Sequence, residues 1–226
     1  MRARCWTRGK SQVVKPSPSV SLLSKPVDDV PDGSLRELRA QAAHCRACPL
    51  WKGATQTVFG EGPARARMVL VGEQPGAQED LAGRPFVGPA GKLLDRALEE
   101  AGLDRDEVYL TNVVKHFKYE ERGKVRLHKR ASAMEQARCR RWLAAELDRL
   151  TPRCMVGLGL MAAQTLFGND FRIITCRGIV RTLDDGVVGL GTWHPSAVLR
   201  MRSTNDRERA YGQLVTDLRA CVKLLA

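Results

Sequence analysis

Arg67-Met68-Val69-Leu70-Val71-Gly72-Glu73-Gln74-Pro75-Gly76 is the stretch that decides how the rest of this 226-residue chain is read. Its apolar run is too short for a helix and is broken at once by a proline and two glycines, the pattern of a strand buried on both faces. Val108–Val114, Cys154–Leu158 and Val187–Thr192 repeat that pattern, the last running into Trp193-His194-Pro195. Between and after them, apolar residues at helical spacing predict helices over about 90–101, 133–150, 160–167 and 205–224. Short apolar strands alternating with helices define an α/β protein, a three-layer αβα arrangement with a central, mostly parallel four-stranded sheet. In such sheets the working site lies beyond the carboxyl ends of the strands. Glu73, Gln74, Asn112 and His194 all stand at or just past those ends, so they are expected to share one pocket.

Outside the strand and helix pattern, residues 1–33 are basic and punctuated by Pro16, Pro18, Pro26 and Pro31, which reads as a disordered tail ahead of a folded domain at 34–226. Ser34 with Glu37 has the spacing of a helix capping box. The formal charge of +12 suits a polyanionic partner, nucleic acid before membrane, although a merely soluble basic surface would carry it too. No apolar run approaches the roughly 18 residues of a membrane span, and no signal-peptide order opens the chain. A cytoplasmic, bacterial-type, nucleoid-associated location and a monomeric state are the expectation. The seven cysteines are odd in number, which disfavours a disulfide framework and favours a metal or cluster site using some of them. Cys45-x-x-Cys48 is the obvious pair.

Several segments have residue types that can do chemistry. Gly72-Glu73-Gln74-Pro75-Gly76 makes a tight turn that can bring backbone N–H groups and a carboxylate to a ligand. Phe86, inside Arg84-Pro85-Phe86-Val87-Gly88-Pro89-Ala90-Gly91, suits either the core or a platform for a planar base. Asn112 has the donor and the acceptor needed to read a pyrimidine edge. His194-Pro195-Ser196-Ala197-Val198-Leu199-Arg200 follows the fourth strand.

In order and spacing these segments, with Cys45-x-x-Cys48, Val58-Phe59-Gly60-Glu61-Gly62 and Thr111-Asn112, resemble the uracil-DNA glycosylase superfamily from about Cys45 to Arg200. The likeness is greatest to the family 4 iron–sulfur enzymes and their UdgX branch. Gln74 and a basic insertion from Lys115 to Lys129, ending Lys124-Val125-Arg126-Leu127-His128, look like UdgX, with Val125 and Leu127 as departures. Ala77 departs from the acidic residue common at that place.

The resemblance implies an enzyme that removes uracil from DNA, single strands included. It implies catalytic parts for Glu73, Gln74 and His194, with Gly72, Gly76, Phe86 and Asn112 holding the base. Arg126, Lys129, Arg130, Ser196, Leu199 and Arg200 would contact DNA, Leu199 as a wedge. His128 would bond covalently to the sugar once uracil leaves, ending the reaction after one turnover. A [4Fe–4S] cluster would be held by Cys45, Cys48, His116 and Cys139, with Cys176 as the competitor for His116's place and zinc as an alternative on ligand chemistry alone.

Overall fold

The computed structural model describes residues 23–123, 125–183 and 186–225. Among the described residues seven strands form, β1 (Met68–Gly72), β2 (Val108–Asn112), β3 (Tyr119–Arg122), β4 (Val125–His128), β5 (Cys154–Leu158), β6 (Arg181–Thr182) and β7 (Val188–Thr192). The main sheet runs β2-β1-β5-β7-β6, and its first four strands are parallel. These are the four that the apolar runs predict. The fifth, β6, pairs antiparallel with the edge of β7 over two residues and is too short to leave a periodic signal.

Alternation along β1 sorts the core. Val69 and Val71 face one layer with α1 (Leu35–Ala43), α4 (Ala133–Leu150) and α5 (Leu160–Phe167). Met68 and Leu70 face the other, with α3 (Pro89–Ala101) and α8 (Thr204–Leu225). The capping box at Ser34 forms, with Glu37 Oε2 accepting from Ser34 N at 2.8 Å and Ser34 Oγ accepting from Glu37 N at 3.3 Å. The remaining helices, α2 (Ala77–Ala82), α6 (Ile173–Cys176) and α7 (Pro195–Leu199), are short. No helix among the described residues is long and apolar enough to cross a membrane.

Two stretches differ from the pattern read along the chain. Most of the expected tail lies outside the described residues, but its end rests on the domain. There Leu23 is buried, Val27 packs on the core and Ser24 N donates to the Thr165 carbonyl at 3.0 Å. The basic stretch after β2 is no open loop: β3 and β4 pair antiparallel, Tyr119 opposite His128 and Glu121 opposite Arg126. That hairpin is the element that reaches the site.

Candidate active site

The carboxyl ends of β1, β2 and β7 open on a cavity of about 220 Å³. This is smaller than the roughly 300–1,000 Å³ of a drug-sized ligand site and suits a single planar base. Its walls bring together Glu73, Gln74, Gly76, Phe86, Asn112, His128, His194, Ser196 and Arg200. A wider groove of about 520 Å³ between Arg177 and Thr216 carries no imidazole.

Close approach explains two glycines. A Cβ on Gly72 would stand 2.3 Å from Asn112 Oδ1 and 2.6 Å from Phe86 Cζ, so only glycine lets the amide and the ring meet at the end of β1. A Cβ on Gly159, just past β5, would stand 2.9 Å from His194 Cβ. The bare glycine lets His194 lean across from β7 toward the pocket at β1 and β2. Phe86 is buried and adopts a left-handed backbone, φ 56°, a conformation that costs a side-chain-bearing residue about 1–2 kcal/mol. Arg105 holds it there by donating to the Pro85 and Phe86 carbonyls at 3.0 and 3.1 Å. The Phe86 and His194 rings lie 6.2 Å apart and nearly parallel at 28°.

His194 has a defined tautomer. Its Nδ1 accepts from Ser196 N at 3.1 Å, with Ser196 Oγ also 2.8 Å away, so the neutral ring carries its proton on Nε2. Arg200 Nη1 donates to Ser196 Oγ at 3.0 Å and holds that hydroxyl in place. Desolvation, reinforced by the Arg200 guanidinium and by His128, pushes the His194 pKa down to about 4. At neutral pH it is therefore an uncharged N–H donor. His128, at the end of β4, is also held below the ordinary imidazole value, by desolvation first; the Glu73 carboxylate pulls the other way and Arg200 adds to the fall. A neutral imidazole keeps a lone pair, and such a ring can act as a nucleophile.

The hairpin that bears His128 is fastened at several points. Gln74 lines the cavity, but its side chain is spent on backbone: Nε2 donates to the Lys118 and Lys129 carbonyls, each at 3.2 Å, and Oε1 accepts from Ala131 N at 3.1 Å. The Gln74 amide, expected to take a catalytic part, thereby clamps the base of the hairpin. Arg126 turns inward, on the same strand face as His128, and not outward as a phosphate contact would. It pairs with the fully buried Asp80 carboxylate at 2.9 Å and lies over the Phe117 and Tyr119 rings. Lys129 pairs with Glu120 on the surface at 3.0 Å. Arg130, Leu199 and Arg200 are exposed.

Sequence reasoning missed Glu79, whose buried carboxylate accepts from Gly76 N at 3.0 Å, Val87 N at 3.0 Å and Gly88 N at 2.7 Å. It ties the Glu73 turn to the Phe86 loop. The signal was present in Gly76 and Glu79, three apart at the start of a helix. Asp80 was missed as well, since nothing along the chain links it to Arg126.

The four residues expected around a cluster lie near one another on the α4 side. Cys48 and Cys139 are buried in one core cluster, with Cys45 packed against it, whereas Cys176 packs elsewhere with Ala163 and Phe171. Cys139 Sγ accepts from Lys115 N at 3.1 Å, and Cys45 Sγ from Trp142 Nε1 at 3.2 Å. Burial pushes the Cys139 thiol up to about 12, so thiolates there need a metal to displace their protons. Thr57 Oγ1 gives its one proton to the Ala42 carbonyl at 2.9 Å and lies 3.0 Å from His116 Nε2, which must therefore be the donor. That leaves the His116 Nδ1 lone pair available as a ligand, its other nitrogen held as metal-bound histidines usually are. Among the described residues no three His, Cys, Asp or Glu side chains converge as ligands of a single ion would. An iron–sulfur cluster asks for something else, ligands spread around a body of several atoms. Thiolates and an imidazole are donor types that such a group takes.

Sequence comparison bears on this site directly. A profile described as the Uracil DNA glycosylase superfamily matches residues 59–219. The chain is 40% identical over 164 residues to a Type-4 uracil-DNA glycosylase of Thermotoga maritima, covering 72% of this chain and 82% of that one. It is 38% identical over 173 residues to that of Archaeoglobus fulgidus, covering 74% and 83%. To that of Sulfurisphaera tokodaii it is 36% identical over 174 residues, covering 74% and 76%.

Proposed function

The chain belongs to the uracil DNA glycosylase superfamily, and from that membership we propose that it cleaves the N-glycosidic bond of uracil in DNA and then traps itself on the product through His128. One observation carries the proposal: two imidazoles and a carboxylate, His194, His128 and Glu73, surround a cavity sized for one base. A base inside a duplex is out of reach, so the target enters flipped out or from a single strand. Uracil lies against Phe86, and the Asn112 amide pairs with its edge, rejecting cytosine because the donor and acceptor order there is reversed. Arg130, Lys129 and Arg200 attract phosphate, and Leu199 fills the vacated space.

As the bond breaks, its electron pair goes to uracil. The neutral His194 supplies a hydrogen bond to the growing negative charge, and Glu73 faces the growing positive charge on the sugar. The His128 lone pair then forms a bond to the sugar carbon. The alkylated ring sheds its N–H proton, which balances the uracil anion. Nothing later regenerates free His128, so each molecule reacts once. The UdgX-like Gln74 and His128 support this reading over an ordinary multiple-turnover glycosylase. A [4Fe–4S] cluster on Cys45, Cys48, His116 and Cys139 would brace the chain beneath the Asn112 strand end; no bond-making step passes through it.

The test is a uracil-containing oligonucleotide run on a denaturing gel after boiling in SDS. One shifted band per protein molecule is expected. Free abasic product in molar excess over protein rejects the trapping step, and absence of both product and adduct rejects the activity.

A further inference from the structure

Lys115 and Glu146 form a fully buried ion pair, Nζ to Oε2 at 2.5 Å, and the proposed chemistry uses neither. We infer that this pair is a positioning device for the uracil-reading amide, setting the orientation of Asn112 from beneath the pocket. The inference rests on the reading of Asn112 given above.

The ammonium has three donors and all three are placed. They go to Thr111 Oγ1 at 2.6 Å, the Asn112 carbonyl at 2.8 Å and Glu146 Oε2. Glu146 is equally saturated, accepting also from Thr111 Oγ1 at 2.8 Å, Gly60 N at 2.8 Å and Tyr109 Oη at 3.1 Å. The peptide plane after Asn112 is thereby gripped on both edges. Its carbonyl is held by Lys115, and its N–H, that of Val113, donates to the Gly72 carbonyl at 3.0 Å. A fixed plane fixes the direction in which the Asn112 side chain leaves the backbone. Lys115 is itself steadied at its backbone, where its N–H meets Cys139 Sγ.

Stability gives no reason for such a pair. Removing two charges from water is expensive, and well-packed apolar replacements of a buried pair are often neutral or stabilising. What apolar side chains do not supply is a directed hydrogen bond to the Asn112 carbonyl.

The experiment follows from that difference. The double variant K115M/E146L leaves no unpaired charge, but Gly60 N, Tyr109 Oη and Thr111 Oγ1 lose their acceptor, so it is expected to melt below the wild type and is assayed well below its own melting temperature. Inhibition of excision by free uracil should weaken tenfold or more, while affinity for uracil-free DNA, which reports phosphate contacts, stays unchanged. A folded double variant whose uracil inhibition lies within twofold of wild type overturns the inference. Should that variant fail to fold, Thr111→Val and Thr111→Ser decide. Valine should weaken uracil inhibition several-fold and serine should keep it; equal behaviour of the two overturns the inference. A wild-type protein that neither releases uracil nor is inhibited by it overturns the functional reading as well. A wild type that does both, beside variants equally sensitive to uracil, overturns this inference alone.

Discussion

If His128 traps the product as proposed, replacing Gln74 by alanine should turn adduct formation into release of abasic DNA. The side chain is only 6% exposed and makes three hydrogen bonds, all to backbone at the base of the β3–β4 hairpin. A net value of about 1 kcal/mol for each puts the loss at roughly 3 kcal/mol. That energy holds the hairpin, and so His128, in its docked position. At 1.36 kcal/mol per tenfold, 3 kcal/mol is about a hundredfold in the rate of the step that needs His128 in place. In the proposed mechanism cleavage of the glycosidic bond uses Glu73, Asn112 and His194, which sit on the main scaffold, so uracil release should fall far less. The assay is a time course with uracil-containing single strands, quantifying SDS-stable adduct and alkali-labile abasic product in each sample. The wild type should show adduct alone, and Gln74→Ala abasic product in excess with adduct forming slowly. An unchanged adduct rate in a folded Gln74→Ala protein would falsify the clamp. Equal loss of uracil release and adduct would instead make Gln74 part of bond cleavage.

Gly72→Ala forces its Cβ into Asn112 and Phe86 and should cut single-turnover uracil release roughly 10²-fold, the usual scale for a misplaced reacting group, while circular dichroism stays native. Because His194 is pushed down to about 4, uracil release should stay level as pH falls through the ordinary histidine value of about 6.5 and drop only on approach to about pH 4. The sign for stability follows: the unfolded ring binds a proton first, so stability falls as pH falls from about 6.5 toward about 4; melting curves of wild type and His194→Asn should converge across that window, and parallel curves would refute it. Arg126→Gln unpairs the buried Asp80 and should cost about 2 kcal/mol yet leave the salt dependence of DNA binding unchanged, whereas a phosphate ligand would lower the slope by about one. Protein isolated without oxygen should be brown and contain iron; Cys139→Ser should lose both and melt lower, and His116→Cys should keep them.

The parts legible along the chain were those written in local pattern. Each of the four parallel strands is an apolar run bounded by turn residues, and the rule that ligands gather at strand carboxyl ends then joins Glu73, Asn112 and His194 without any contact being known. The hairpin was hidden because charged residues of both signs, Glu120, Glu121, Arg122, Lys124 and Arg126, interrupt it and mask a two-residue alternation. Val125 and Leu127 are 58% and 43% exposed, while Arg126 is half-buried against Asp80 and His128 lines the cavity, an arrangement that charge alone does not suggest. Lys115 with Glu146, Asp80 with Arg126 and Glu79 with the Phe86 loop are pairings of residues far apart in sequence or across turns. No periodicity records such contacts, since each is chosen by the fold and not by its neighbours.

The hairpin's dependence on those anchors bears on what separates a trapping protein from a hydrolysing one. A lone two-stranded hairpin is marginal in water, and the apolar side chains of this one, Val125 and Leu127, are exposed rather than packed on the core. Its order comes from the Gln74 amide at its base, the Asp80–Arg126 pair at its middle and the Lys118–Glu135 pair at 2.7 Å where it joins the strand end. A histidine placed in a similar loop without these partners would spend its time away from the sugar, and water would reach the carbon first. On the proposed mechanism His128 and its fastenings therefore form one unit. Moving His128 alone into a uracil-DNA glycosylase that lacks it should give no adduct. Moving it with Gln74 and Arg126, onto a scaffold that keeps the Asp80 carboxylate, should yield adduct. If the histidine alone suffices, the anchors serve only stability, and the clamp assigned to Gln74 loses its part in the chemistry.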